Sequence, residues 1–200
     1  MLNYNSVIKN EIKQESISVK EISPVIKINL RGKKREFLTN VGKNLNMILP
    51  TEANTSTTSD KLTAIWLSPD EWMIISNELA SKDTNKSDLY EMLFNSISKT
   101  NLGAVIDVTD QFVQLELKGE NVYEIFSAGS PFNFNEFKEK KGSTAQTVLN
   151  HIDVILHHKD ENILNLFVRR SFAEHLCSWI EDCALSLIHI SEPTRQSSIS

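Results

Sequence analysis

Short apolar runs with a period of two, each closed by a polar turn, commit most of this chain to antiparallel sheet. Residues 25–31 set Ile26, Ile28 and Leu30 against Lys27, Asn29 and Arg31, and residues 112–118 repeat the alternation with Val113, Leu115 and Leu117. The apolar runs 62–67 and 72–75 flank Ser68-Pro69-Asp70-Glu71, which reads as a hairpin turn. Further strands are expected at 104–108, 144–150, 152–157 and 163–168, while 51–60, TEANTSTTSD, reads as a polar loop.

Helical spacing interrupts these runs at regular points. Phe37, Val41 and Leu45 recur every fourth residue in a helix weakened by Gly42, and Ser87 caps a helix carrying Leu89, Leu93 and Ile97. Val122, Ile125, Phe126 and Gly129 have the same spacing. Ser171-x-x-Glu174 is a capping box opening a helix whose apolar face holds Phe172, Leu176, Trp179, Ile180 and Cys183. Phe172 and Trp179 are therefore expected to be largely buried. The order predicts an α+β chain of two related halves, about 24–100 and 101–184, each a mostly antiparallel sheet with helices on one face. Residues 1–23 read as a poorly ordered lead-in.

The final segment, 185–200, breaks with this pattern. LSLIHISEPTRQSSIS matches the in-frame translation of a transposase-type sequencing adapter, with a short index barcode inside it. The native protein is expected to stop near Ala184.

Composition excludes several classes of function. The chain is 40% hydrophobic and 24% charged, which is ordinary for a folded domain. Its formal net charge of −5 argues against a nucleic-acid partner, because phosphate neutralisation needs a surplus of Lys and Arg. No apolar run approaches the roughly 18 residues that span a bilayer, and the start lacks an apolar signal core. Cys177 and Cys183 lie about 9 Å apart along one helix, too far to bridge, so both are expected reduced and the chain cytoplasmic.

Little in the sequence carries chemistry. His157 and His158 are adjacent on a strand and face opposite sides; His151 shares a face with His157 but lies about 20 Å away, and the set matches no metal spacing. Asp107 and Asp110 could form an acid–base pair, yet Asp-x-x-Asp between two strands fits turn chemistry better. There is neither a phosphate-cradling glycine loop nor a nucleophile elbow.

Four segments nonetheless form a recognisable set. WLSPDEWMIIS (66–76) carries Trp66, Pro69, Asp70, Glu71 and Trp72. IDVTDQFVQLELKG (106–119) carries Asp107 and Asp110 ahead of a strand. Ala145-Gln146-Thr147 follows, and VRRSFAEHLCSWIEDCA (168–184) carries Arg170, Phe172 and Trp179. In this order, from about residue 20 to Ala184, and with a strand ending Leu30-Arg31-Gly32, they resemble the gamma subunit of heterotetrameric sarcosine oxidase. Ser68 stands where that family has glycine, and Gly129-Ser130-Pro131 where many relatives have glycine-cysteine.

The resemblance implies a fold like the folate-binding domain of aminomethyltransferases. It also implies a complex that demethylates sarcosine to glycine, with electrons passing through flavins to oxygen and the one-carbon unit to tetrahydrofolate. FAD, FMN, NAD, zinc and tetrahydrofolate are then expected on the alpha, beta and delta subunits, with no catalytic, cofactor or metal residue here. Trp66 and Trp72 would anchor a subunit interface if exposed. The alternative is a stand-alone tetrahydrofolate-binding module, in which Asp153 would lead the strand that holds the pterin.

Overall fold

Backbone pairing gathers the alternating runs into two antiparallel sheets. The computed structural model describes residues 5–8, 11–14, 17–22, 25–76 and 87–191, apart from the side chains of 87 and 187–191. In chain order the elements are β1 (Ile12–Lys13), β2 (Ser18–Glu21), β3 (Lys27–Arg31), α1 (Arg35–Leu45), β4 (Ser56–Thr58), β5 (Leu62–Ser68) and β6 (Glu71–Ser76). There follow α2 (Ser87–Leu93) with a π-helical turn (Phe94–Ser98), β7 (Ala104–Asp107), β8 (Phe112–Lys118), α3 (Val122–Gly129) and α4 (Phe134–Glu139). The chain closes with β9 (Thr144–Leu149), β10 (Ile152–Asp160), β11 (Ile163–Arg169) and α5 (Arg170–Ser191). One sheet has the order β1-β2-β8-β11-β10-β9 and the other β4-β5-β6-β3-β7.

Each sheet buries one face against helices. Val113, Leu115 and Leu117 of β8 pack with Val154 and Leu156 of β10 against Ile125 and Phe126 of α3 and Leu176 and Ile180 of α5. Ile28 and Leu30 of β3 pack with Trp72 and Ile74 of β6 against Phe37 and Val41 of α1 and Leu93 of α2. The opposite faces meet each other: Ile65, Met73 and Ile75 of one sheet enclose a smaller core with Ile155 and Phe167 of the other. The result is four layers, helix–sheet–sheet–helix. Asn150 and His151 both adopt positive φ (46° and 66°), which gives the two-residue turn joining β9 to β10 its hairpin twist.

Several expectations need correcting. The segment 1–23 is not simply a lead-in: β1 and β2 lie within it, and β2 pairs with β8 from Ser18↔Lys118 to Glu21↔Leu115. Ile17 and Val19 are buried in the main core, and Glu21 accepts hydrogen bonds from the Val7 and Ile8 amides at 2.8 and 3.0 Å. The driving force is the free edge of β8, whose amides and carbonyls need partners. The boundary at residue 100 also moves, because β7 completes the first sheet beside β3. Within the polar segment 51–60, Thr57 pairs with Ala64, so β4 forms the outer strand of that sheet. Helix α4 was not expected; buried Phe134 and Phe137 hold it, and Asn133 caps it by accepting from the Asn135 amide at 3.0 Å. Helix α5 begins at Arg170, so Ser171 lies in its first turn and not at the cap. The side chain of Ser87 lies outside those described.

Candidate functional site at the inter-sheet layer

The motif residues are spent mostly on architecture. Trp72 is buried, stacks on Phe37 at 5.8 Å between ring centroids, and donates its indole N–H to the Pro50 carbonyl at 2.7 Å. Trp66, directly opposite it across the hairpin, is half-buried against the same core. The pair therefore faces helix α1, and Trp72 is no exposed interface anchor. At the turn between them, with Pro69 exposed, the Ser68 hydroxyl donates to Asp70 at 2.8 Å. That bond, with Arg31 and Lys33 at 3.5 and 3.6 Å, holds the Asp70 carboxyl below its ordinary value. Glu71 accepts from the Asn29 amide at 2.7 Å. Asp70 thus ties the hairpin tip to the end of β3, and Glu71 ties the start of β6 to its middle.

Asp107 performs turn chemistry, accepting from the Thr109 amide at 2.8 Å. The Thr109 hydroxyl then accepts from the Lys27 amide at 3.0 Å, carrying the β3–β7 pairing one residue further. Asp110 lies in the same turn and is exposed. Gln146 bridges the sheets, donating to the Leu67 carbonyl at 2.6 Å. Arg170 donates to the Asn5 carbonyl, and so secures the amino-terminal segment.

Phe172 corrects an expectation: it is 48% exposed, because the buried stripe of α5 runs through Ala173, Leu176, Cys177, Ile180 and Ala184 and leaves position 172 beyond its edge. Trp179 is half-buried over Gly129. Asp153 is exposed on β10 and lines an open groove of about 540 Å³ with Gln146 and Arg169.

A second space lies at the other end of the inter-sheet layer, a cavity of about 490 Å³. Its floor is apolar, with Ile22, Val25, Ile75 and Phe167. Its walls carry His157, Asn165, Gln114 and Glu116, which sit together because His157 pairs with Asn165 and Asn165 pairs with Glu116 across adjacent strands. Gln114 follows two residues along β8, on the same face. At the mouth, Lys159 meets Glu116 and Lys141 meets Asp160, each at 3.0 Å.

Hydrogen bonding fixes the His157 tautomer. The Ser56 hydroxyl donates to the Gly142 carbonyl at 2.8 Å, so its oxygen accepts from His157 Nε2–H at 3.0 Å. Nδ1 is left as a lone-pair acceptor with no partner. Burial, reinforced by the charges of His158 and Lys159, pushes His157 down to about 4. Burial pushes Glu116 up, but hydrogen bonds from Lys118 and Lys159 outweigh it and hold the carboxyl below its ordinary value. His158, on the opposite face, shares Nδ1–H between the Phe137 and Lys140 carbonyls at 3.2 and 3.1 Å. Among the described residues no group of His, Cys, Asp or Glu is arranged to hold a metal, and Cys177 and Cys183 are free thiols. No described helix is long and apolar enough to cross a membrane.

Stacked antiparallel sheets with helices outside define an aminomethyltransferase-like α+β fold. The glycine cleavage system aminomethyltransferase T from Bartonella henselae superposes with a TM-score of 0.60 at 17% identity, covering 82% of this chain and 45% of that one. A chain of the heterotetrameric sarcosine oxidase from Corynebacterium sp. U-96 superposes more fully, with a TM-score of 0.76 at 20% identity and 88% of each chain covered. No curated protein sequence matches. The sequence pattern of the sarcosine oxidase, gamma subunit family matches residues 32–186, and the chain belongs to that family.

Neither Gln114 nor Asn165 was singled out from sequence. The available signal was a polar residue inside a strand that is apolar on both sides, Leu164-Asn165-Leu166 above all.

Proposed function

We propose that this chain is a non-catalytic, structural subunit of a heterotetrameric sarcosine oxidase, built with alpha, beta and delta partners and working in the cytoplasm. The complex would oxidise sarcosine to glycine, reduce oxygen through flavins and pass the one-carbon unit to tetrahydrofolate. FAD, FMN, NAD, zinc and tetrahydrofolate would then reside on the other subunits. The observation that carries this reading is the family match across residues 32–186. Supporting it, Asp70, Asp107, Gln146 and Trp72 are all engaged in contacts that hold turns, strands and loops of the fold in place. Exposed Phe172 and Ile106 supply apolar surface for a partner.

Co-expression of the four subunits, with and without this chain, tests the proposal. Omission should reduce assembly or thermal stability while leaving the flavin spectrum of the remaining complex unchanged. An alpha–beta–delta complex that assembles fully and turns over normally would refute it. Asp153, exposed in a groove with Arg169, favours a second reading as a stand-alone tetrahydrofolate-binding module. Stoichiometric tetrahydrofolate binding by the isolated chain, abolished in Asp153→Asn, would establish that alternative.

A further inference from the structure

The inter-sheet cavity holds an arrangement that packing alone does not explain. Gln114 Oε1, Asn165 Oδ1 and His157 Nδ1 are buried without a hydrogen-bond partner, on side chains that line one cavity and are each more than nine-tenths buried. Buried acceptors ordinarily have partners, and three lapses in one place mark a site that is incomplete without a ligand. Register brings them close: residues directly opposite across strands have Cβ atoms about 5 Å apart, and diagonal neighbours about 7 Å. All three are acceptors, the histidine because its other nitrogen already donates to Ser56. The complementary group is a donor with three N–H bonds, which is an ammonium. The Glu116 carboxylate beside them, ionised by its lysine partners, adds favourable charge.

The rest of the cavity selects what the ammonium is attached to. Lys159 and Lys141 at the mouth each present three donors and spend one on a carboxylate, so both retain donors for another anion. The apolar floor of Ile22, Val25, Ile75 and Phe167 lies in the same cavity and offers a surface for a hydrocarbon side chain branching from the carbon that carries both charged groups. The volume, about 490 Å³, lies within the range of small-molecule sites, about 300–1,000 Å³. We propose that this cavity is a binding site for a free α-amino acid with an apolar side chain. Its ammonium sits on Gln114, Asn165 and His157, its carboxylate on Lys159 and Lys141, and its side chain on Phe167 and Ile75. All the residues that line the site belong to this chain.

The test is an NMR titration of the full chain with L-leucine, following the imidazole resonances of His157. 4-Methylpentanoate, which lacks the amine, and 3-methylbutylamine, which lacks the carboxylate, serve as controls. Saturable shifts with L-leucine are expected, with both controls at least tenfold weaker, and with nuclear Overhauser contacts from the leucine methyls to the Phe167 ring. Asn165→Leu and Gln114→Met, both near-isosteric, should each weaken L-leucine at least tenfold with unchanged far-UV circular dichroism. Lys159→Met should bring L-leucine towards the amine control. No saturable shift with the unaltered chain overturns the proposal, as does equal binding of either control. Undiminished affinity in a folded Asn165→Leu or Gln114→Met protein also overturns it. Should one variant fail to fold, the other and the methyl-to-Phe167 contacts still decide.

Discussion

Gly129→Ala should destabilise the protein by about 1–2 kcal/mol, chiefly through the contact between α3 and α5. A Cβ at Gly129 would fall far inside the 3.4 Å at which ordinary contact begins, against the outer edge of the Trp179 indole. The backbone there is not in the left-handed region, so the penalty is steric and not conformational. Overpacking of this kind costs about 1–3 kcal/mol. Alanine regains at most about 1 kcal/mol of helix propensity, and less at the last residue of a helix. The net loss corresponds to a Tm drop of about 4 °C for a chain of this size. Urea unfolding followed by far-UV circular dichroism reads the change as a shift in midpoint at constant slope. The decisive comparison repeats Gly129→Ala in a Trp179→Phe background, where the outer indole atoms are gone. There the alanine should cost under about 0.5 kcal/mol, giving a coupling of about 1 kcal/mol between the two positions. An equal cost in both backgrounds would refute the steric argument, and no cost in either would show that α5 shifts freely over α3.

Trp72→Ala should cost about 3–5 kcal/mol, since it empties a buried ring site and strips the Pro50 carbonyl of its donor; chemical denaturation checks it, and a loss below about 1 kcal/mol would place the ring outside the core. His157 has a folded value of about 4 against an ordinary 6.5, so the unfolded chain binds the extra proton first. Its contribution, about 3 kcal/mol, is present above pH 6.5 and lost as pH falls towards 4. His157→Gln should flatten the stability–pH curve in that window. Burial raises the Cys177 thiol to about 12, so in the native chain Cys183, half-buried, should react first with iodoacetamide, as mass spectrometry of modified peptides would show. Deleting 185–200 should change stability by less than about 0.5 kcal/mol, if that segment is an adapter translation; a larger change in unfolding midpoint would make it part of the folded protein.

Period-two alternation reveals which residues of a strand share a face, but not what covers that face. For β8 the apolar set Val113, Leu115 and Leu117 was legible because it faces helices α3 and α5 in the larger core. The same rule assigns Gln114 and Glu116 to the other face, which a half-buried strand turns to water. Here a second sheet lies over that face, and Gln114 becomes a buried residue with an unpaired oxygen. The hairpin at Ser68-Pro69-Asp70-Glu71 and the turn at Asp107 were legible because turn chemistry is local, needing only a few adjacent residues. The cavity was not, because its walls come from β4, β6, β8, β10 and β11, elements up to about a hundred residues apart such as Ser56 and His157. The amino-terminal strands were missed for the same reason: Ile17 and Val19 alternate over too few residues to announce a strand, and only the open edge of β8 makes one of them. Sheet stacking therefore creates the site, and it does so by converting polar residues that look solvent-facing into buried groups that require a partner. The motif residues Asp70 and Asp107 secure turns, while the unpaired acceptors Gln114, Asn165 and His157 lie on faces that the two sheets turn towards each other.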